Sequence, residues 1–208
     1  MMSPPNQLTL LRIILTPAFA LLLFSDSPTN KQIALLVYCL AAITDWYDGW
    51  VARRWGYITH WGKFLDPLAD KVLTSAAFIS FVFIGYASAW MVWIIVTRDI
   101  LITFLRSYSE YKGKPVETIK FARTKTFFQL VVIYFFLVVY IVRSSPSLNA
   151  RYGAWLETVA TKEVMAGLMM IVTILTAWSG ILYLIHKRNI IKELFIPNDR
   201  AAETGQPN

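Results

Sequence analysis

The sequence predicts an all-α membrane protein: a bundle of six transmembrane helices with both termini in the cytoplasm. Three observations predict it. Hydrophobic residues make up 56% of the 208-residue chain and charged residues only 16%, against about 25% charged in a typical soluble domain. Apolar runs approaching the ~20 residues that a spanning helix needs recur along the chain with short connections between them. Basic residues gather in alternate connections, as they do in cytoplasmic loops.

Taken in order, the first run extends from about Leu8 to Phe24 and carries Arg12 and Pro17. The second, from about Lys31 to Arg53, holds Asp45 and Asp48 in its final third. The third, from about Gly62 to Tyr86, opens with Asp66 and Asp70. The fourth, from about Ala89 to Tyr111, contains Arg98, Asp99 and Arg106. The fifth runs from about Thr124 to Val142 and the sixth from about Val164 to His186. The expected organisation is one domain over residues 1–197 and a polar tail over 198–208. The N-terminus lacks the basic region and cleavage site of a signal peptide.

Loop charge sets the expected orientation. Arg53, Arg54 and Lys63 lie between the second and third runs, and Lys112, Lys114, Lys120, Arg123 and Lys125 between the fourth and fifth. Lys187, Arg188 and Lys192 follow the sixth. The other side offers Lys31, Arg143, Arg151 and Lys162, and the third-to-fourth turn is uncharged. The positive-inside rule therefore places the second-to-third loop in the cytoplasm, as for a protein of a cell's inner membrane. Trp50, Trp55 and Trp61 flank that loop, and His60 and His186 also read as interfacial.

Net charge is +7 with no basic run of five or more. That balance fits anionic lipid heads or phosphorylated substrates, not a nucleic acid. Cys39 is the single cysteine, which excludes an internal disulfide and a cysteine-ligated zinc site. Pairing through a helix face is compatible with the size of the chain, and periodicity singles out no face for a homodimer.

The chemistry concentrates in DWYDGWVARRWGYITHWGKFLDPLADK. Asp45 and Asp48 are three apart and Asp66 and Asp70 four apart, so each pair shares one helix face. Antiparallel neighbours joined by a short loop bring all four to one depth. Ionised carboxylates in low dielectric are costly unless paired or metal-bound. Arg53, Arg54, Lys63 and Lys71 offer one solution, an ion-pair network. Cations offer the other: hard oxygen donors without cysteine or clustered histidine select Mg²⁺ or Mn²⁺, with Ca²⁺ also allowed, and four carboxylates suit two ions. Two such ions serve phosphoryl displacement. Gly49 and Ala52 leave room for a flat ligand, and Arg53 can grip a pyrophosphate oxygen in bidentate fashion. Gly62 allows the loop to close on the third helix.

Asp45, Asp48, Gly49, Ala52, Arg53, Gly62, Asp66 and Asp70 stand in the spacing D-x2-D-G-x2-A-R-x8-G-x3-D-x3-D. The run resembles the signature of the CDP-alcohol phosphatidyltransferase family at all eight fixed positions. Within that family, PNQLTLLRIILTP and GKFLDPLADKVL are similar to the members whose acceptor is sn-glycerol 3-phosphate. ARTKTFFQ resembles their G-K-x-K-T-x-x-Q, with Ala122 for the glycine and Arg123 for the lysine. The resemblance implies that CDP-diacylglycerol binds near Gly49 and Arg53, with Asn6, Thr9 and Thr59 as further nucleotide contacts. It implies metal ions on Asp45, Asp48, Asp66 and Asp70, and Asp70 as the base that deprotonates the attacking alcohol. A pure ligand role for Asp70 is equally allowed by spacing.

A phosphorylated acceptor needs cations, and Arg98, Arg106, Arg123 and Lys125 are the candidates; the alternatives for them are ion pairing and snorkelling to the interface. The change at Ala122 and Arg123 leaves inositol phosphate, serine, choline or phosphatidylglycerol as alternative acceptors. A cation transporter is a reading of another class, which explains Gly49 and Arg53 poorly because transporter sites sit near the bilayer midplane. A non-catalytic lipid-binding protein is a third.

Overall fold

The computed structural model describes the backbone of residues 4–55, 60–111 and 120–188, with side chains over 10–44, 68–69, 71–109 and 125–188. Among these residues there are seven helices and no strand: α1 Pro4–Leu23, α2 Pro28–Trp55, α3 His60–Ile84, α4 Ala89–Tyr111, α5 Lys120–Ser144, α6 Pro146–Val159 and α7 Lys162–His186. The six apolar runs are α1 to α5 and α7, with ends within four residues of those expected, and α4 agrees at both ends.

α6 is the addition. Its 14 residues include Asn149, Arg151 and Glu157, so it gives no long apolar run. Pro146 explains why it is separate from α5. The residue before a proline avoids helical backbone, and Ser145 is extended at φ −102°, ψ 115°. Pro146 then starts a new helix, where its missing N–H costs nothing. At α7 the Thr161 hydroxyl accepts the Val164 N–H at 3.3 Å as an N-cap.

The α3–α4 turn depends on Gly85, whose φ of +82° suits glycine. Tyr86 N–H reaches back to Phe81 O at 2.8 Å and Gly85 N–H to Val82 O at 3.1 Å. This double closure is the Schellman arrangement that satisfies the last carbonyls of a helix.

α1 packs against α2 and α3, and α5 also packs against both. On the other side of the α3–α5 pair, α4 packs on α3 and on α7, and α7 on α5. The bundle is thus two rings of helices sharing α3 and α5, with α6 resting on α5. Aromatic side chains fill the shared layer: Phe19 meets Tyr38 at 5.2 Å between centroids, Tyr38 meets Tyr134 at 5.5 Å, and Phe81 meets Phe136 at 5.2 Å.

The outside is as apolar as the core. Leu21 on α1, Leu36 on α2, Phe83 on α3, Trp93 on α4, Phe127 on α5 and Ile174 on α7 are all exposed. Soluble monomers avoid contiguous apolar surface on this scale, and a bilayer removes its cost. By length and composition, Lys125–Ser144 and Lys162–His186 can each cross a membrane.

Candidate active site

Asp45 and Asp48 lie on α2, and Asp66 and Asp70 on α3. Only residues 56–59 separate the two helices, so Trp55 and His60 are at most about 18 Å apart. Asp48 is seven residues before the end of α2 and Asp66 six after the start of α3. At 1.5 Å per residue these are depths of about 10 and about 9 Å. The helix frame therefore brings both pairs to one level at one end of the bundle. The side chains of the four aspartates, and of Asn6, Thr9, Gly49, Arg53 and Arg123, lie outside the described residues, as does Thr59 altogether. Asn6 and Thr9 belong to the first turns of α1, the helix packed on both α2 and α3.

Beside this end, α4, α5 and α7 build a buried polar cluster around Asp99. Arg98 Nη1 donates to Asp99 Oδ1 at 2.9 Å, and the Lys125 ammonium binds the same oxygen. Gln129 Nε2 donates to Asp99 Oδ2 at 3.1 Å and lies 3.4 Å from Thr176 Oγ1 on α7. Lys71, next in the chain to Asp70, also bears electrostatically on this carboxylate.

Arg98 has a second constraint. It lies over Gly180 of α7, where a Cβ would meet its Cγ at 2.8 Å. The glycine is what lets the arginine pass between α4 and α7. Arg98 Nε is buried against the Gly180 side of α7 and makes no hydrogen bond among the described residues. Arg106 is exposed and acts with Arg98 on the Tyr183 hydroxyl of α7.

Of the four cations expected to serve an acceptor phosphate, the structure brings Arg98 and Lys125 together through Asp99. Arg106, exposed at the surface, is not part of this ion-pair cluster among the described contacts. The ion pair weighed as an alternative for Arg98 is present, with Asp99 as partner. Asp99, Gln129 and Thr176 were not singled out from the sequence. An acid inside an apolar run is a functional signal in itself, and it marks Asp99. Arg12 was missed on the same ground: it is 1% exposed within α1, and the Thr16 hydroxyl donates to its backbone carbonyl at 2.9 Å.

Among the described residues no group of three or more His, Cys, Asp or Glu gathers. The four aspartates, two on α2 and two on α3, are hard oxygen donors of the type that suits a divalent cation.

The model of a family, CDP-alcohol phosphatidyltransferase, matches residues 2–186. Similar proteins include the CDP-diacylglycerol–glycerol-3-phosphate 3-phosphatidyltransferases of Shigella flexneri and Escherichia coli. They are 34% and 33% identical over 185 residues, covering 86% of this chain and 92% of each relative. With the signature on α2 and α3 and the match running from α1 to the end of α7, the chain belongs to the CDP-alcohol phosphatidyltransferase family and is a transferase.

Proposed function

We propose that the chain transfers the phosphatidyl group of CDP-diacylglycerol to sn-glycerol 3-phosphate, giving phosphatidylglycerophosphate and CMP. The activity named for its relatives and the eight signature residues support the donor lipid. One structural observation carries the phosphorylated acceptor: two cations, Arg98 and Lys125, gather on the single carboxylate of Asp99 and leave an excess of positive charge. A phosphate recruits such a guanidinium readily.

In this reading residues 1–197 form one domain, six of the seven helices cross the bilayer, and the aspartate end faces the cytoplasm with both termini. α6, at 14 residues, is about 21 Å long. That is short of the ~30 Å hydrocarbon layer, so it lies along the opposite surface, where exposed Tyr152 and Trp155 suit the interface.

Asn6, Thr9, Gly49, Arg53 and Thr59 hold the nucleotide and pyrophosphate. Asp45, Asp48, Asp66 and Asp70 would hold two divalent cations, Mg²⁺ or Mn²⁺, whose charge would offset that of the pyrophosphate and of the leaving CMP. Arg98 and Lys125, with exposed Arg106 and with Arg123 of α5, draw the acceptor phosphate in. Asp70 takes the hydroxyl proton as the acceptor oxygen attacks the phosphorus that bears diacylglycerol. The bond from that phosphorus to the CMP oxygen breaks, and CMP leaves with the electron pair.

A panel of acceptors tests the reading. Purified protein given CDP-diacylglycerol and Mg²⁺ should release CMP with glycerol 3-phosphate and far less with inositol phosphate, serine, choline or phosphatidylglycerol. Preference for an uncharged or zwitterionic alcohol would reassign the acceptor.

A further inference from the structure

At the end of the bundle away from the aspartates, α3, α4, α5 and α7 enclose a partly open cavity of about 520 Å³. This is within the range of small-molecule sites. It is remote from the proposed chemistry: Arg143 in its wall lies 18 residues along α5 from Lys125, or about 27 Å. In a bilayer it faces the headgroups of the leaflet opposite the aspartates.

The floor is apolar and soft. Met91, Met165 and Met169 are buried there, and thioether chains adapt to irregular partners. The rim is basic. Arg143 and Lys162 line it, and no lining residue is acidic. Arg143 is fixed by two bonds, from Nη2 to the Ala160 carbonyl at 2.8 Å and from Nη1 to the Tyr86 hydroxyl at 3.5 Å. Its guanidinium sits 5.9 Å from the Tyr86 ring centroid. A guanidinium has five N–H donors, so this anchoring leaves donors for a ligand. Lys162 is exposed at the first turn of α7. Glu163, its chain neighbour, is not part of the lining.

A fixed arginine and an exposed lysine over a methionine floor are complementary to a phosphodiester joined to apolar chains. We propose that this cavity binds the headgroup of an anionic phospholipid, with its phosphate against Arg143 and Lys162 and its glycerol backbone over Met165 and Met169. A free anion would use the rim and leave the floor unfilled; a lipid uses both. The inference rests on the membrane placement given above and not on the reaction, so CMP release and lipid retention can fail separately.

The test is native mass spectrometry of the full chain in an uncharged detergent. The probes are a dioleoyl lipid with a phosphoglycerol headgroup, the same chains with phosphoethanolamine, and inorganic phosphate. The wild type should hold the anionic lipid at least about fivefold more tightly than the zwitterionic one. Lys162→Glu should lose about fivefold or more of that affinity and leave phosphoethanolamine lipid binding unchanged, and Arg143→Gln should act in the same direction. Because Arg143 also ties α5 to Ala160, the exposed Lys162 variant decides the matter if Arg143→Gln does not fold. Equal affinity in wild type and Lys162→Glu, equal affinity for the two lipids, or displacement of the lipid by inorganic phosphate would each overturn the assignment.

Discussion

The Lys125 ammonium on α5 binds the Asp99 carboxylate on α4 inside the bundle, where the two side chains are 3% and 5% exposed. Gln129 takes the other carboxylate oxygen and Arg98 shares the first. Asp99 therefore holds two buried or half-buried cations and, through Gln129 and Thr176, links α4, α5 and α7.

Removing one member of such a pair strands the other in low dielectric, at about 3–5 kcal/mol. Asp99→Asn should therefore lower the melting temperature in detergent markedly. Asp99→Asn combined with Lys125→Gln should recover part of the loss, since the more deeply buried of the two cations is then gone and only Arg98 is left without its anion. A single variant as stable as the wild type would contradict the pairing.

Gly180 and Gly167 lie on the same helix and predict opposite outcomes. A Cβ at 180 meets Arg98 Cγ at 2.8 Å, whereas a Cβ at 167 meets nothing within 4 Å. Gly180→Ala should displace Arg98 and raise the KM for glycerol 3-phosphate about tenfold or more, the scale of one lost charged hydrogen bond. Gly167→Ala should leave KM unchanged and stabilise α7 by up to about 1 kcal/mol. Steady-state kinetics and melting curves distinguish the two.

The aspartates predict metal dependence. EDTA should abolish turnover and added Mg²⁺ or Mn²⁺ restore it. Asp66→Asn should lower kcat by orders of magnitude with the protein still folded, because an amide is a weak ligand for a hard cation. Full turnover in EDTA would remove the cations from the account.

Arg106 is exposed where the Arg98 side chain is only 14% exposed, so it should act on capture of the acceptor more than on its final grip. Arg106→Ala should raise the KM for glycerol 3-phosphate several-fold, most strongly at low ionic strength, where exposed charges are least screened. The KM for CDP-diacylglycerol should stay within about twofold. Equal effects on both substrates would take Arg106 out of the acceptor path.

The long helices were legible because each carries a long apolar run bounded by polar or charged residues. α4 was read to the residue, since the uncharged turn at Gly85 and the basic stretch after Tyr111 mark both limits. α6 was not legible, being short, mixed in character and tied to the bundle mainly through α5. In the site, spacing alone grouped the aspartates because they lie close in sequence. The Asp99 cluster draws on residues 98, 99, 125, 129, 176 and 180 from three helices. The Arg98–Asp99 pair joins chain neighbours and was legible as an ion pair, but only packing brings Lys125, Gln129, Thr176 and Gly180 to it, so their part could not be read from any local pattern. The cavity at Arg143 and Lys162 joins four helices and was invisible for the same reason.

Direct product analysis tests the central claim most sharply. Wild-type protein incubated with CDP-diacylglycerol, Mg²⁺ and glycerol 3-phosphate should yield phosphatidylglycerophosphate and CMP in equal amounts by mass spectrometry, and folded Asp70→Asn should yield neither. No phosphatidylglycerophosphate from the wild type, or undiminished product from Asp70→Asn, would contradict it.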